Sequence, residues 1–113
     1  MHEMALAESV LQIVEEAART QGFARVRGVF LDVGALSGVE PEALAFCFEA
    51  VVRGTLAEGA RLELTRLPGG GWCLVCARDV PLTARYEACP YCGGYQVQPN
   101  AGLEMKVREL EVE

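Results

Sequence analysis

Two Cys-X-X-Cys pairs, Cys73-Leu74-Val75-Cys76 and Cys89-Pro90-Tyr91-Cys92, stand twelve residues apart in this chain. Each pair bends its backbone around one ion, and two such knuckles complete a tetrahedral four-thiolate site. No other feature constrains the fold as strongly. The segment around the cysteines has few aliphatic residues, so metal binding becomes its folding energy, on the order of 10 kcal/mol or more. Zn(II) is the expected occupant, in a closed structural site at Cys73, Cys76, Cys89 and Cys92. Gly93 relieves the tight turn after the second pair. Ala77 holds the equivalent place after the first, where glycine would be easier. Two disulfides or a redox CxxC are the alternatives, and a rubredoxin-like iron site, which would make the protein red, is another. Cys47 lies apart, on an apolar helical stripe, and reads as a small buried hydrophobe.

Apolar residues recur at helical spacing from Met4 to Gln21, through Leu6, Val10, Ile13, Val14, Ala17 and Ala18, and Gly22 is a stop. Arg25 to Val33 reads as a strand with Val29, Leu31 and Val33 on one face. Pro41 suits the first position of a second helix, whose stripe is Leu44, Cys47, Phe48, Val51 and Val52, ended by Gly54. Ala60 to Leu67 reads as a strand. Leu103 to Val112 reads as a last one, its apolar phase slipping between Val107 and Leu110. Pro68-Gly69-Gly70-Gly71 and Pro99-Asn100-Ala101-Gly102 read as flexible linkers. The expectation is an α/β (α+β) fold: two helices packed on a small three-stranded sheet, with an inserted zinc-ribbon module. The main body spans 1–68 plus 102–113 and the module 69–101, free to move between its linkers.

Composition narrows the partners. The formal net charge is −6, and thiolate ligation makes it more negative. Nucleic acid and anionic membranes are both disfavoured, since binding to either rests on basic residues. No stretch approaches the ~20 apolar residues of a membrane span, and no signal peptide is visible. The expected compartment is the cytoplasm, where paired cysteines signal metal binding.

The one histidine, His2, follows Met1 directly. Enzymes that trim initiator methionine need a small second residue, so Met1 is expected to stay. The terminal amine, the His2 amide and the His2 ring then offer three nitrogens within two residues. Together they close fused chelate rings around one ion, and such a planar nitrogen set suits Ni(II) or Cu(II). Glu3 can add an oxygen. The amine and imidazole must lose protons to bind, so affinity falls with acidification. The plain alternative is a histidine in a solvated terminus.

Taken together, these elements resemble one known family. The start Met1-His2-Glu3-Met4-Ala5-Leu6-Ala7 is similar to the opening of the HypA/HybF hydrogenase nickel-insertion proteins. So are Leu36-Ser37-Gly38-Val39-Glu40-Pro41-Glu42-Ala43-Leu44, Arg53-Gly54-Thr55-Leu56-Ala57-Glu58-Gly59-Ala60, both CxxC pairs and the closing strand. The resemblance covers the whole chain. It implies a nickel metallochaperone with an N-terminal nickel domain and a zinc ribbon, which loads the large subunit of [NiFe]-hydrogenase with the GTPase HypB as partner. Its oligomeric state is expected to be monomer or weak homo-oligomer. Carried onto this chain, nickel falls on Met1, His2 and Glu3. The resemblance also offers Glu40 as an acidic ligand, whose plain reading is helix N-terminal electrostatics beside Pro41. Some relatives recruit a histidine from the zinc module; here any extra ligand must be an oxygen, a backbone group or a partner's side chain.

Rival functions are weaker. With its one histidine at the extreme terminus, the chain offers no His-based catalytic set, and Gly69-Gly70-Gly71 lacks the lysine of a phosphate loop. A nucleic-acid-binding ribbon could stack bases on Trp72, Tyr86, Tyr91 and Tyr95. From Arg66 to Gln98, however, only Arg66, Arg78 and Arg85 oppose Asp79 and Glu87. The aromatics are expected to form the module's small core instead. A purely structural docking domain would bind one zinc and no second metal.

Overall fold

The computed structural model describes residues 2–113. The first helix, α1, runs His2–Gln21. Its buried stripe is Ala7, Val10 and Val14, while Ile13 is exposed, so the apolar face is narrower than the periodicity suggests. Glu3 in the first turn and Arg19 in the last complement the helix dipole. Gly22, at φ +78°, closes the helix by donating its N–H to the Ala18 carbonyl at 2.9 Å.

Strand β1 (Val26–Gly34) buries Val29, Leu31 and Val33, the face its alternation marks. Helix α2 (Pro41–Val51) has Pro at its start and buries Leu44, Cys47 and Phe48. Each fully buried Leu or Val contributes about 1.5–3 kcal/mol. Strand β2 (Arg61–Leu67) follows. The last strand, β6 (Met105–Val112), half-buries Met105, Val107 and then Leu110, so the expected phase slip is present in its burial. β1 is the centre of a three-stranded sheet in the order β2-β1-β6. The architecture is thus the expected α+β fold of two helices and a small sheet, with a second sheet carrying the cysteines.

That second sheet corrects the linker reading. Gly69–Cys73 forms β3, Arg78–Leu82 forms β4 and Val97–Ala101 forms β5, in the order β4-β3-β5. β3 pairs antiparallel with both neighbours, its register shifting against β5 between Gly70 and Gly71. The glycines are there for closeness rather than freedom. A Cβ on Gly71 would lie 2.7 Å from the Gln98 carbonyl oxygen, and one on Gly69 would lie 2.6 Å from that of Leu82. Pro99-Asn100-Ala101 belongs to β5. Pro81 and Pro99 sit on the two outer strands, where a missing N–H can face away from the ladder.

The chain forms two compact units. One comprises the residues up to Leu31, Val39–Thr65 and Lys106–Glu113; the other comprises Asp32–Gly38 and Arg66–Met105. The core of the second is Leu36, Cys73, Val80, Leu82 and Cys89, with Cys76, Val97 and Leu103 packed against it. Leu36 therefore reaches this core from the turn after β1. The aromatics expected there are outside it: Trp72, Tyr86, Tyr91 and Tyr95 are all exposed, Tyr86 by 90%. No described helix is long and apolar enough to cross a membrane.

Candidate metal centre

β3 ends at Cys73, and the turn that follows carries Cys76 before β4 begins at Arg78. The second pair lies between β4 and β5. Its turn is held by a hydrogen bond from the Cys89 N–H to the Gly94 carbonyl at 2.8 Å. The two knuckles share their closing backbone bond and differ in which N–H meets the first sulfur. In the first, the Cys76 N–H points to Cys73 Sγ at 3.4 Å, and the Ala77 N–H reaches the Cys73 carbonyl at 2.8 Å. In the second, the Tyr91 N–H points to Cys89 Sγ at 3.4 Å, and the Gly93 N–H reaches the Cys89 carbonyl at 2.8 Å.

This brings the four sulfur atoms within 4.8 Å of one another. Cys73 and Cys92 are 3.7 Å apart and Cys76 and Cys89 are 3.9 Å apart. A tetrahedron with metal–sulfur bonds of ~2.3 Å has edges of about 3.8 Å, so the donor set fits a four-coordinate ion. Such distances are far from the ~2.05 Å of a disulfide. Burial and the adjacent sulfurs push the Cys76 thiol up to about 12. Burial also opposes ionisation of Cys89, but the backbone N–H groups of Cys92 and Tyr91 outweigh it and bring that thiol down to about 7. Backbone N–H groups thus favour the thiolate at Cys89, while burial favours the thiol at Cys76 unless a cation is bound.

The N-terminal candidates lie in the other unit. Met1 is outside the described residues. His2 is the first described residue of α1, with its side chain 55% exposed. His2 Nδ1 lies 3.5 Å from Glu3 Oε2, and the same oxygen accepts a hydrogen bond from the Glu40 N–H at 3.1 Å. That bond is the chief reason the Glu3 carboxyl is held below the usual carboxylate range, against the opposing effect of burial. So the structure brings His2, Glu3 and the main chain of Glu40 together. The Glu40 side chain is exposed and caps nothing. Among the described residues, the cysteines are the one group of three or more side chains gathered for an ion.

The family model described as hydrogenase/urease nickel incorporation, metallochaperone, hypA matches residues 1–112. The chain belongs to the HypA family. Hydrogenase maturation factors HypA of Albidiferax ferrireducens and Dechloromonas aromatica are each 58% identical to it over 113 residues, covering the whole of both chains. The solution structure of the nickel metallochaperone HypA from Helicobacter pylori has the same fold. It superposes with a TM-score of 0.71 at 22% identity, covering 97% of this chain and 96% of that one. A second HypA solution structure gives 0.72 at 23% identity. HypA proteins are nickel metallochaperones of hydrogenase maturation, and the family is one of maturation factors rather than enzymes.

The sequence named the four cysteines from spacing alone. It missed the main-chain role of Glu40, because nothing local pairs residues 37 positions apart.

Proposed function

We propose that this HypA chain takes Ni(II) at its N-terminus and helps insert it into the large subunit of [NiFe]-hydrogenase, while the four cysteines hold a structural Zn(II). Met1 supplies the amine, His2 the amide and Nδ1, and Glu3 an oxygen. The observation that carries this reading is the place of His2 in the first turn of α1. The leading N–H groups of a helix have no intrahelical acceptor. A metal can therefore displace the His2 amide proton without breaking a helix hydrogen bond. The positive end of the helix dipole opposes a cation there. The deprotonated amide and the Glu3 carboxylate supply the offsetting charge.

A terminal chelate also suits transfer, since few groups are displaced on release. Copper outcompetes nickel at such a site by intrinsic preference, so selectivity comes from supply and partners. Those partners are the GTPase HypB and the hydrogenase large subunit, met in the cytoplasm by a monomer or weak homo-oligomer. Zinc supplies a cross-link between the two knuckles and no chemistry.

Calorimetric titration of Ni(II) into protein with its native terminus tests the chelate. His2→Ala, acetylation or an uncleaved N-terminal tag is expected to abolish stoichiometric nickel binding and leave zinc in place. Wild-type nickel affinity in the tagged protein would refute the chelate.

A further inference from the structure

Glu40 is the N-cap of α2, in extended conformation at φ −91° and ψ 111°, and its side chain makes no cap hydrogen bond. Pro41 follows and has no N–H to give. The Glu40 amide is spent on Glu3 Oε2 instead, at 3.1 Å. Although Glu3 lies in the first turn of a terminal helix, its side chain is only 14% exposed. A long side chain that could rotate freely in solvent is thus pinned by one oxygen next to the His2 ring. A hydrogen bond to a ligating carboxylate fixes its orientation and raises its worth as a ligand.

We propose that the backbone N–H of Glu40, not its carboxylate, is the positioning group of the nickel site. It holds Glu3 Oε2, which stands 3.5 Å from His2 Nδ1, and so keeps the carboxylate beside the ring nitrogen that would take the ion. This rests on the N-terminal chelate proposed above. Glu40 then acts on nickel only through Glu3, and its own side chain is dispensable.

Two substitutions separate the amide from the carboxylate. Glu40→Pro removes the N–H, and the extended backbone of Glu40 at φ −91° needs to turn by only about 25° to reach the proline value of ~−65°. Glu40→Ala keeps the N–H and removes the carboxylate. Nickel is titrated into the full chain with its native terminus, and zinc content and the thermal transition are followed alongside. Glu40→Pro is expected to weaken nickel binding by about 10–100-fold, the usual effect of losing an outer-shell partner. Glu40→Ala is expected to bind as wild type and to keep its melting temperature; Glu40→Pro is expected to keep zinc but to melt somewhat lower, because a mostly buried Glu3 carboxylate loses its partner. Wild-type affinity in Glu40→Pro, or an equal loss in Glu40→Ala, overturns the proposal. His2→Ala distinguishes the two levels. If it abolishes binding while Glu40→Pro does not weaken it, only the positioning role is wrong; if it retains binding, the chelate is wrong. Should Glu40→Pro fail to fold, hydrogen exchange decides. With nickel bound, the Glu40 amide is expected to stay protected in the wild type and to exchange faster in Glu3→Ala, and an amide that loses protection when nickel is added overturns the proposal.

Discussion

Ala77 and Gly93 occupy the same place in the two knuckles, and both adopt left-handed backbone, at φ 53° and 75°. Each donates its N–H to the carbonyl of its knuckle's first cysteine. For glycine this conformation is free of steric cost, whereas an L-residue bears about 1–2 kcal/mol. Glycine's greater freedom in the unfolded chain offsets part of that gain. Ala77→Gly is therefore expected to stabilise the metal-bound unit by up to about 1 kcal/mol, and Gly93→Ala to destabilise it by a similar amount. The rate of metal loss to a competing chelator measures both.

The glycine run before Cys73 gives a second test. A flexible linker tolerates a methyl group at any position, but Gly71 is buried against the Gln98 carbonyl. Gly71→Ala is expected to cost about 1–3 kcal/mol, the range for overpacking. Gly22→Ala meets no neighbouring atom and differs in kind, since only its positive φ opposes it. Denaturant unfolding with metal bound compares the two, and a neutral Gly71→Ala would restore the linker reading.

Metal removal has a built-in reporter. Trp72, the single tryptophan, precedes Cys73 on β3 and pairs in register with Asp79 and Gln98. Stripping the ion, or replacing Cys89 by Ala, is expected to melt this unit and shift Trp72 emission to longer wavelength. Limited proteolysis is expected to cut between residues 69 and 99, while α1, α2 and β1 stay protected. Unchanged emission and an uncut segment would show that the unit folds without its metal.

Leu36 supplies a fourth prediction. It is 2% exposed and joins Val80 and Leu82 in the core beside Cys73 and Cys89. Its carbonyl also accepts from Arg85 Nε at 2.9 Å. Leu36→Ala is expected to cost about 2–5 kcal/mol and to speed metal loss, although it lies far from either knuckle in sequence. Chelator competition reads this directly.

Much of this was legible in the chain. The 3.6-residue rhythm of α1 and α2, the alternation of Val29, Leu31 and Val33, and the spacing of the cysteines each report a local geometry that sequence encodes directly. The misreadings share a cause. Gly69-Gly70-Gly71 lacks side chains, which signals either freedom or close approach, and only the neighbouring carbonyls decide between them. Trp72 and Tyr86 read as core residues in the sequence because a small unit needs apolar mass. Leu36, outside the cysteine segment, supplies it together with Val80 and Leu82. The bond from the Glu40 N–H to Glu3 was invisible for the same reason, since it exists only once the starts of α1 and α2 meet.

Pro81 and Pro99 close the outer rims of the cysteine-bearing sheet. Each leaves an outer strand one main-chain N–H short, which blunts that strand for pairing with another backbone. An edge blunted in this way favours contacts made through side chains over the tight grip of a shared ladder.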